Sequence, residues 1–213
     1  LTAGCLGESG SRLHAVQGDP SHPQTMKPLL STLAICLALT RITTADVTLP
    51  GLFSDHMVLQ RDKPVTVWGW AEPGEAVTIS IPPNTSKTVA DSSGSWRVEL
   101  AAFPAGGPHE LTVTGNNTLT FRDVLFGEVW LCSGQSNMQW SLKDATNGAQ
   151  EVAQAAHPQI RLLTVKSAQA LTPQMDAPTS GWAACTPESA ASFSAVGYLF
   201  GRHIHQEIGV PIC

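Results

Sequence analysis

The sequence predicts an antiparallel β-sandwich followed by the first, incomplete part of a three-layer α/β/α domain. In the first half, short runs alternate apolar and polar residues, as strands with one buried face do. In the second half, continuous apolar runs alternate with amphipathic segments, a pattern typical of a parallel sheet covered by helices. The pattern changes once, close to Leu125. We therefore expect the sandwich at residues 46–124 and the α/β/α part at residues 125–213.

Apolar alternation and turn residues support the sandwich. Glu72-Pro73-Gly74-Glu75 fits a type II turn, because Pro fixes φ at the second position and Gly tolerates positive φ at the third. Asp91–Gly94 and Gly115–Asn117 are expected to close hairpins. The predicted inward residues are Val77, Ile79, Ile81, Trp96, Val98, Leu100, Leu111, Val113, Leu119 and Phe121.

Two tryptophans stand on the opposite face of a predicted strand. Trp68 and Trp70 alternate with Val65 and Val67, so they point away from the sandwich core. Aromatic side chains in that position can stack on sugar rings, or they can pack against another sheet or domain. The sequence leaves both interpretations open.

The second half predicts three strands and two helices. A buried strand is expected first, and a long loop rich in Pro and Gly is expected before the last helix, which Gly209 ends. The predicted segments are a strand at Val129–Cys132, a helix at Ala149–Ala156, a strand at Ile160–Val165, a loop at Leu171–Glu188, a helix at Ser194–Ile208 and a strand from Val210.

Composition limits the classes of function. The chain has 213 residues, of which 42% are hydrophobic and 14% charged, which fits one or two globular domains. Its formal net charge is −5, and its Lys and Arg residues form no basic run, so a nucleic-acid partner is not expected.

The N-terminal 45 residues differ in character from the rest. Residues 1–25 lack periodicity, and we expect disorder there. Residues 26–45 resemble a signal peptide, because Lys27 precedes the apolar run Leu29–Leu39 and small residues precede Asp46; a buried helix or membrane anchor is the alternative. Translation would then start at Met26. The mature protein would be exported to a periplasm, the cell exterior or a lysosome, with no membrane attachment.

The cysteines give little support for a cross-linked or metal-bound protein. Cys132 lies in a predicted buried strand, where packing is its expected role. A bridge between Cys185 and Cys213 is possible from the sequence alone. The sequence contains no Cys-x-x-Cys, so we expect no zinc site and no other metal.

The strongest candidate for chemistry is Gly127–Met138. An apolar run ends at the small residues Ser133 and Gly134, and Ser136 follows where a helix can begin. This geometry suits a nucleophile, because it exposes the hydroxyl beside free backbone N–H groups. A serine that only caps a helix is the alternative.

This stretch resembles the first motif of the sialate O-acetylesterases, a branch of the SGNH (GDSL-like) hydrolases. Three further segments strengthen the resemblance: Leu52–Arg61, Pro158–Leu162 and Phe193–Tyr198. The resemblance implies an SGNH-like fold, Ser136 as nucleophile, an O-acetylated sugar as substrate, and no metal or organic cofactor.

The resemblance also implies a histidine base, which follows an Asp by three residues near the end of the domain. The chain's one such pair, Asp19 and His22, precedes the predicted signal peptide, and we interpret it as coincidence. We therefore expect the base beyond Cys213, and little or no turnover by the 213-residue chain itself. The oligomeric state cannot be read from the sequence.

The remaining candidate site residues are expected to assist Ser136; they are Gly197, Gln135 and Asn137. The backbone N–H of Ser136 is the first expected oxyanion donor, and Gly197 is a candidate for the second, with close packing of its helix as the alternative. Gln135 and Asn137 are candidates for contacting substrate or bracing the turn.

Three hypotheses follow. The first is an exported serine esterase that removes O-acetyl groups from sialic acid. Deacetylation of xylan or another sugar is an alternative within the same class. A non-catalytic glycan-binding protein built on the sandwich is the alternative from another class.

Overall fold

The computed structural model describes residues 46–213, and seven strands form its first part. They are β1 (Val58–Gln60), β2 (Val65–Trp70), β3 (Ala76–Ile81), β4 (Asn84–Val89), β5 (Ser95–Leu100), β6 (Gly106–Thr114) and β7 (Thr118–Gly127). Five of them form one mixed sheet in the order β1-β7-β6-β3-β4, and β2 pairs with β5 in a second sheet. The pairs are antiparallel except β1–β7, which is parallel.

The two sheets share one apolar core. Val77, Ile79 and Ile81 of β3 are fully buried, and Trp96 and Leu100 of β5 are nearly so. The inward faces predicted from alternation are thus confirmed for these strands. Burial of these side chains from both sheets supplies most of the free energy that holds the two sheets together.

The predicted turns are also confirmed. The Glu75 N–H donates to the Glu72 carbonyl at 2.9 Å, and Gly74 has φ of +82°, as a type II turn requires. Residues 115–117 close the antiparallel β6–β7 hairpin as predicted. The Gly94 N–H donates to the Asp91 carbonyl at 2.9 Å, so 91–94 is a turn, but the hairpin predicted there is wrong because β4 and β5 belong to different sheets.

Helices and short strands follow β7. They are α1 (Ser136–Gln139), a 3₁₀ helix (Leu142–Asp144), α2 (Gly148–Ala153), β8 (His157–Leu162), β9 (Ala183–Cys185), α3 (Pro187–Ala191) and α4 (Ala195–Ile208). Ser194 caps α4, and Gly209 ends it with φ of +65°, as expected. Within residues 46–213, every helix is too short or too polar to cross a bilayer.

The predicted loop at Leu171–Glu188 is wrong at its end. Residues 183–185 form β9, which pairs antiparallel with β8, and α3 begins at Pro187. The Thr186 hydroxyl accepts from the Ser189 N–H, and the Ser189 hydroxyl accepts from the Thr186 N–H, so a complete capping box starts this helix. Ser stands where the usual box has Glu or Gln, which explains why the pattern gave no helix signal.

The chain's last described residues pair with two earlier segments. Ile212 forms parallel bridges with both Glu128 and Ile160. The Arg161 N–H donates to the Ile212 carbonyl, and the Cys213 N–H donates to the Glu128 carbonyl, each at 2.9 Å. Segment 211–213 therefore lies between the other two, with the parallel direction that the sequence predicts.

The predictions for residues 1–25 and 26–45 lie outside the described residues. The predicted boundary between residues 124 and 125 falls inside β7, so one strand crosses it.

Candidate active site

The segment that leads to Ser136 is extended and exposed rather than buried. Val129 is 43% exposed and Leu131 88%, so the prediction of a strand covered on both faces at Val129–Cys132 is wrong for the described residues. The Trp130 N–H donates to the Cys213 carbonyl at 2.9 Å, and its ring meets Phe200 of α4 edge-on with centroids 5.1 Å apart, a contact that leaves Trp130 47% exposed.

Gln60 at the end of β1 and Arg61, which follows it, fasten the start of this segment. The Gln60 amide accepts from the Val129 N–H and donates to Glu128, both at 3.1 Å, and Arg61 donates to Glu128 at 2.8 Å. The Arg61 N–H also donates to the Gly127 carbonyl. The hydrogen bonds from Gln60 and then Arg61 lower the pKa of the Glu128 carboxyl. These contacts give a structural role to part of the Leu52–Arg61 motif.

Ser136 is the first residue of α1, a single helical turn. Gln135 precedes it with extended backbone angles, and its carbonyl accepts from the Met138 N–H at 2.9 Å. Ser136 is exposed, and its backbone N–H has no hydrogen-bond partner within residues 46–213. An exposed hydroxyl and a free N–H donor therefore occur at the same residue, an arrangement that suits acyl transfer.

Ser136 lines an open pocket of about 440 Å³ whose other residues the sequence analysis missed. The Trp140 indole N–H donates to the Asp144 carbonyl at 2.9 Å, and the Ser141 hydroxyl donates to the Asp144 carboxylate at 2.5 Å. The Ser-x-x-Asp pattern of 141–144 was the available signal, since it is typical of a helix start. Gln139 completes the lining.

Residues at the start of α4 hold the pocket segment in place by backbone hydrogen bonds. The Ala195 N–H donates to the Trp140 carbonyl at 2.8 Å, and the Leu142 N–H donates to the Phe193 carbonyl at 2.9 Å. Leu142, which follows the pocket residue Ser141, is fully buried in an apolar cluster. The segment after Ser136 is therefore anchored by backbone hydrogen bonds and by apolar burial.

Gly197 has a hydrogen-bond partner within its own helix. Its N–H donates to the Ser194 hydroxyl at 3.1 Å, and a Cβ at this position would lie 3.2 Å from Cε1 of Phe193. The described structure therefore uses Gly197 for capping and close packing. Its assignment to the oxyanion hole stays a prediction, and it would require the bond to Ser194 to break.

Gln135 and Asn137 are exposed on either side of Ser136. Their side chains form no hydrogen bonds within the described part of the chain, so neither braces the turn there. Neither residue lines the Ser136 pocket, and their role in substrate binding stays a prediction.

The described histidines do not line the Ser136 pocket. His56 binds Asp123 at 2.7 Å, and His205 contacts the Val210 carbonyl at 2.7 Å. His157 is partly buried, which lowers the pKa of its imidazole. Among residues 46–213, no three His, Cys, Asp or Glu side chains gather as a metal site requires.

The described cysteines are all free, so the possible Cys185–Cys213 bridge is not formed. Cys132 is exposed, which corrects its predicted role in buried packing; it lies on the uncovered segment before Ser136. Cys185 is 1% exposed, and burial raises its pKa to about 11.

These environments predict different thiol reactivity. At pH 8, Cys132 should react with iodoacetamide within minutes. Cys185 should remain unmodified in the folded chain, since about one thiol in a thousand is ionised and access is blocked. Peptide mapping by mass spectrometry measures both, and guanidinium should make Cys185 react. Equal labelling in the folded chain would contradict the described burial.

Comparison with known proteins gives the family. No protein-family model matches the chain. The sialate O-acetylesterases of Pongo abelii and Homo sapiens are each 35% identical to it over 179 residues, which cover 75% of the chain. This chain is a homologue of the sialate O-acetylesterases. The Mus musculus sialate O-acetylesterase is 33% identical over 179 residues.

A solved structure agrees with these sequence relatives. A carbohydrate acetylesterase from Xanthomonas citri matches with a TM-score of 0.76 and 43% identity, over 78% of this chain and 39% of that one. The homologue described here spans about a third of the length of the curated relatives, 34% for the human protein. The resemblance read from Gly127–Met138 is thus confirmed at the level of the family.

Proposed function

We propose that this chain supplies the nucleophile of a serine carbohydrate esterase that removes O-acetyl groups from sialic acid. One observation carries the proposal. Ser136 is exposed on an anchored turn, beside an open pocket, in a homologue of the sialate O-acetylesterases. A serine with only a capping role would direct its oxygen to the N–H groups of its own helix, whereas no side chain caps α1.

The reaction follows from this geometry. The base takes the Ser136 hydroxyl proton as the oxygen attacks the acetyl carbonyl, and the Ser136 N–H donates to the oxyanion that forms. The C–O bond to the sugar breaks, the sugar oxygen takes a proton from the base, and an acetyl-enzyme remains. Water, which gives a proton to the same base, then attacks the acetyl-enzyme; the bond to the Ser136 oxygen breaks, that oxygen regains the proton, and acetate leaves. A histidine beyond the described pocket would act as the base, and the reaction requires no organic cofactor.

We further propose that the complete fold is a three-layer SGNH-like domain after a β-sandwich. The parallel bridges of Ile212 to Glu128 and Ile160 support this, because they form the start of a parallel sheet. Export to a periplasm, the cell exterior or a lysosome remains part of the proposal and depends on residues 26–45.

Two sugars are candidate substrates of this reaction. The curated relatives are named for sialate, whereas the Xanthomonas citri relative is described only as a carbohydrate acetylesterase. Acetylxylan therefore remains a second candidate substrate of the same reaction.

Acetate release distinguishes the two sugars. A protein that extends this chain to the length of its relatives should release acetate from O-acetylated sialic acid at least about tenfold faster than from acetylxylan, judged by kcat/KM. The reverse order would replace sialate by xylan and keep the esterase.

A serine-directed phosphonate tests the nucleophile directly. The same protein should carry one phosphonyl group, on Ser136 and not on the neighbouring exposed Ser133. Labelling elsewhere, or none, would contradict the assignment.

A further inference from the structure

A cleft of about 540 Å³ lies on the outer face of the β2–β5 sheet. The register places Trp68 opposite Arg97 and Trp70 opposite Ser95, and these four side chains alternate with the buried core positions. The other side chains of its lining are Thr66, Thr88, Val89, Asp91, Trp96 and Met175. Ser136 is not part of this lining, and the cleft is separate from the pocket beside it.

The two tryptophans form an aromatic surface in the cleft. They are two residues apart on one strand, so their Cα atoms are about 7 Å apart and their rings project from the same face. The Trp68 indole N–H donates to the Met175 carbonyl at 3.1 Å, and its ring meets Phe53 edge-on with centroids 5.0 Å apart. Trp68 is therefore held in place before any ligand arrives.

Trp70 has a free donor. Its indole N–H forms no hydrogen bond within residues 46–213 and is open to solvent, whereas Nε1 of Trp96, which also lines the cleft, is buried without a partner. A ligand with hydroxyl groups can satisfy this donor while its apolar face covers the ring.

Polar groups surround the aromatic surface. Arg97 donates to the Thr66 hydroxyl at 3.2 Å and remains exposed. The Asp91 carboxylate accepts from Ser93 and Ser95, which lowers its pKa and keeps it ionised. The charged lining residues are thus one cation and one anion, so the cleft has no net charge to attract an acidic ligand.

One wall of the cleft comes from a distant part of the chain. Met175 belongs to the segment before β9. The next residue, Asp176, fastens this segment to the loop before β1, because its carboxylate accepts from the Gly51 N–H at 3.0 Å. The Trp182 indole N–H donates to the Leu52 carbonyl at 2.8 Å. These bonds fix the wall, so the cleft is formed without a ligand.

We propose that this cleft binds the neutral pyranose units of an oligosaccharide, as a non-catalytic site separate from Ser136. A pyranose has an apolar face that suits an indole ring and hydroxyl groups that pair with Arg97, Asp91 and the Trp70 N–H. The site would hold the esterase on a glycan while the acetylated sugar is processed elsewhere. The inference does not depend on the esterase reaction.

A binding experiment with the 213-residue chain tests the proposal. Titration calorimetry, after a screen of immobilised neutral oligosaccharides, should identify a ligand. Trp70→Ala should weaken its binding at least about tenfold, and Trp70→Phe should weaken it less because a ring remains. Arg97→Ala should also weaken binding, and since Arg97 is exposed it leaves the core intact.

Trp130→Ala is the matched control. Trp130 is 47% exposed and packs against Phe200, outside the cleft, so its loss should leave binding unchanged. Thermal unfolding of each variant separates lost binding from lost folding. Absence of any neutral ligand, binding of sialylated glycans alone, or equal effects of the Trp70 and Trp130 variants would overturn the proposal. The measurement uses no turnover, so an absence of binding leaves the esterase proposal intact. An absence of esterase activity likewise leaves the binding proposal intact.

Discussion

Ser136→Ala should lower kcat/KM for p-nitrophenyl acetate by about 10⁴–10⁶-fold in the protein that carries this chain together with its base. The change removes the atom that forms the acetyl-enzyme, and the other hydroxyl of the pocket, that of Ser141, is held by its hydrogen bond to Asp144. Folding should persist, because the Ser136 side chain is exposed and forms no hydrogen bond within the described residues. Initial rates and circular dichroism measure the two effects.

Ser133→Ala is the matched control for this prediction. Ser133 is exposed on the same segment, three residues before Ser136, and it does not line the pocket. Its rate should stay within about twofold of the unmodified protein, since surface substitutions away from a site have small effects. Turnover retained by Ser136→Ala would remove Ser136 from the mechanism, whatever the sugar.

Asp123→Asn should destabilise the folded chain by about 2 kcal/mol. Asp123 accepts from Arg161 at 2.7 Å, and the Arg161 side chain is only 5% exposed. The Nε of Arg161 is already buried without a partner, so the loss of the carboxylate leaves an uncompensated charge. Such losses reach about 3–5 kcal/mol for fully buried pairs, and we expect less because a third of Asp123 is exposed. Urea unfolding of the 213-residue chain measures the difference.

Asp62→Asn provides the comparison. Asp62 and Asp123 both have positive φ, +56° and +55°, which Asn tolerates, so the backbone effect is the same at both positions. Asp62 pairs with Arg61 at 3.1 Å, but 59% of its side chain is exposed, so its loss should cost less than about 0.5 kcal/mol. Equal losses of unfolding free energy from the two variants would show that the Asp123–Arg161 pair stabilises the chain no more than the exposed Asp62–Arg61 pair does. Adding Arg161→Met to Asp123→Asn should recover part of the stability.

The elements that local pattern determines were predicted well. Val77, Ile79 and Ile81 alternate strictly, and Gly74 occupies the one turn position that requires positive φ, so the strands and turn follow from neighbouring residues alone. The parallel pairing of β1 with β7 was not predictable in this way. It joins residues more than sixty positions apart, and three-residue strands carry almost no periodic signal.

The candidate site shows the same division. Ser136 was found because an apolar run, a turn of small residues and a helix start occur within twelve residues. Trp140 and Asp144 were missed because they line the pocket only after the 3₁₀ helix folds back. The exposure of Val129–Cys132 was missed for a different reason. An apolar run predicts that burial would be favourable, but it does not say which part of a protein provides the cover.

Strand β7 ends at Gly127, and three of its residues pair with β1 after the point where the sequence changes pattern. A gene divided at that point would separate Phe126, which is fully buried, from the core it completes. Expression of the first half alone would therefore yield a sheet with an open edge and a vacant aromatic position, prone to aggregate. A chimeric gene that joins this half to another hydrolase domain should have its junction after residue 128, so that β7 is kept complete.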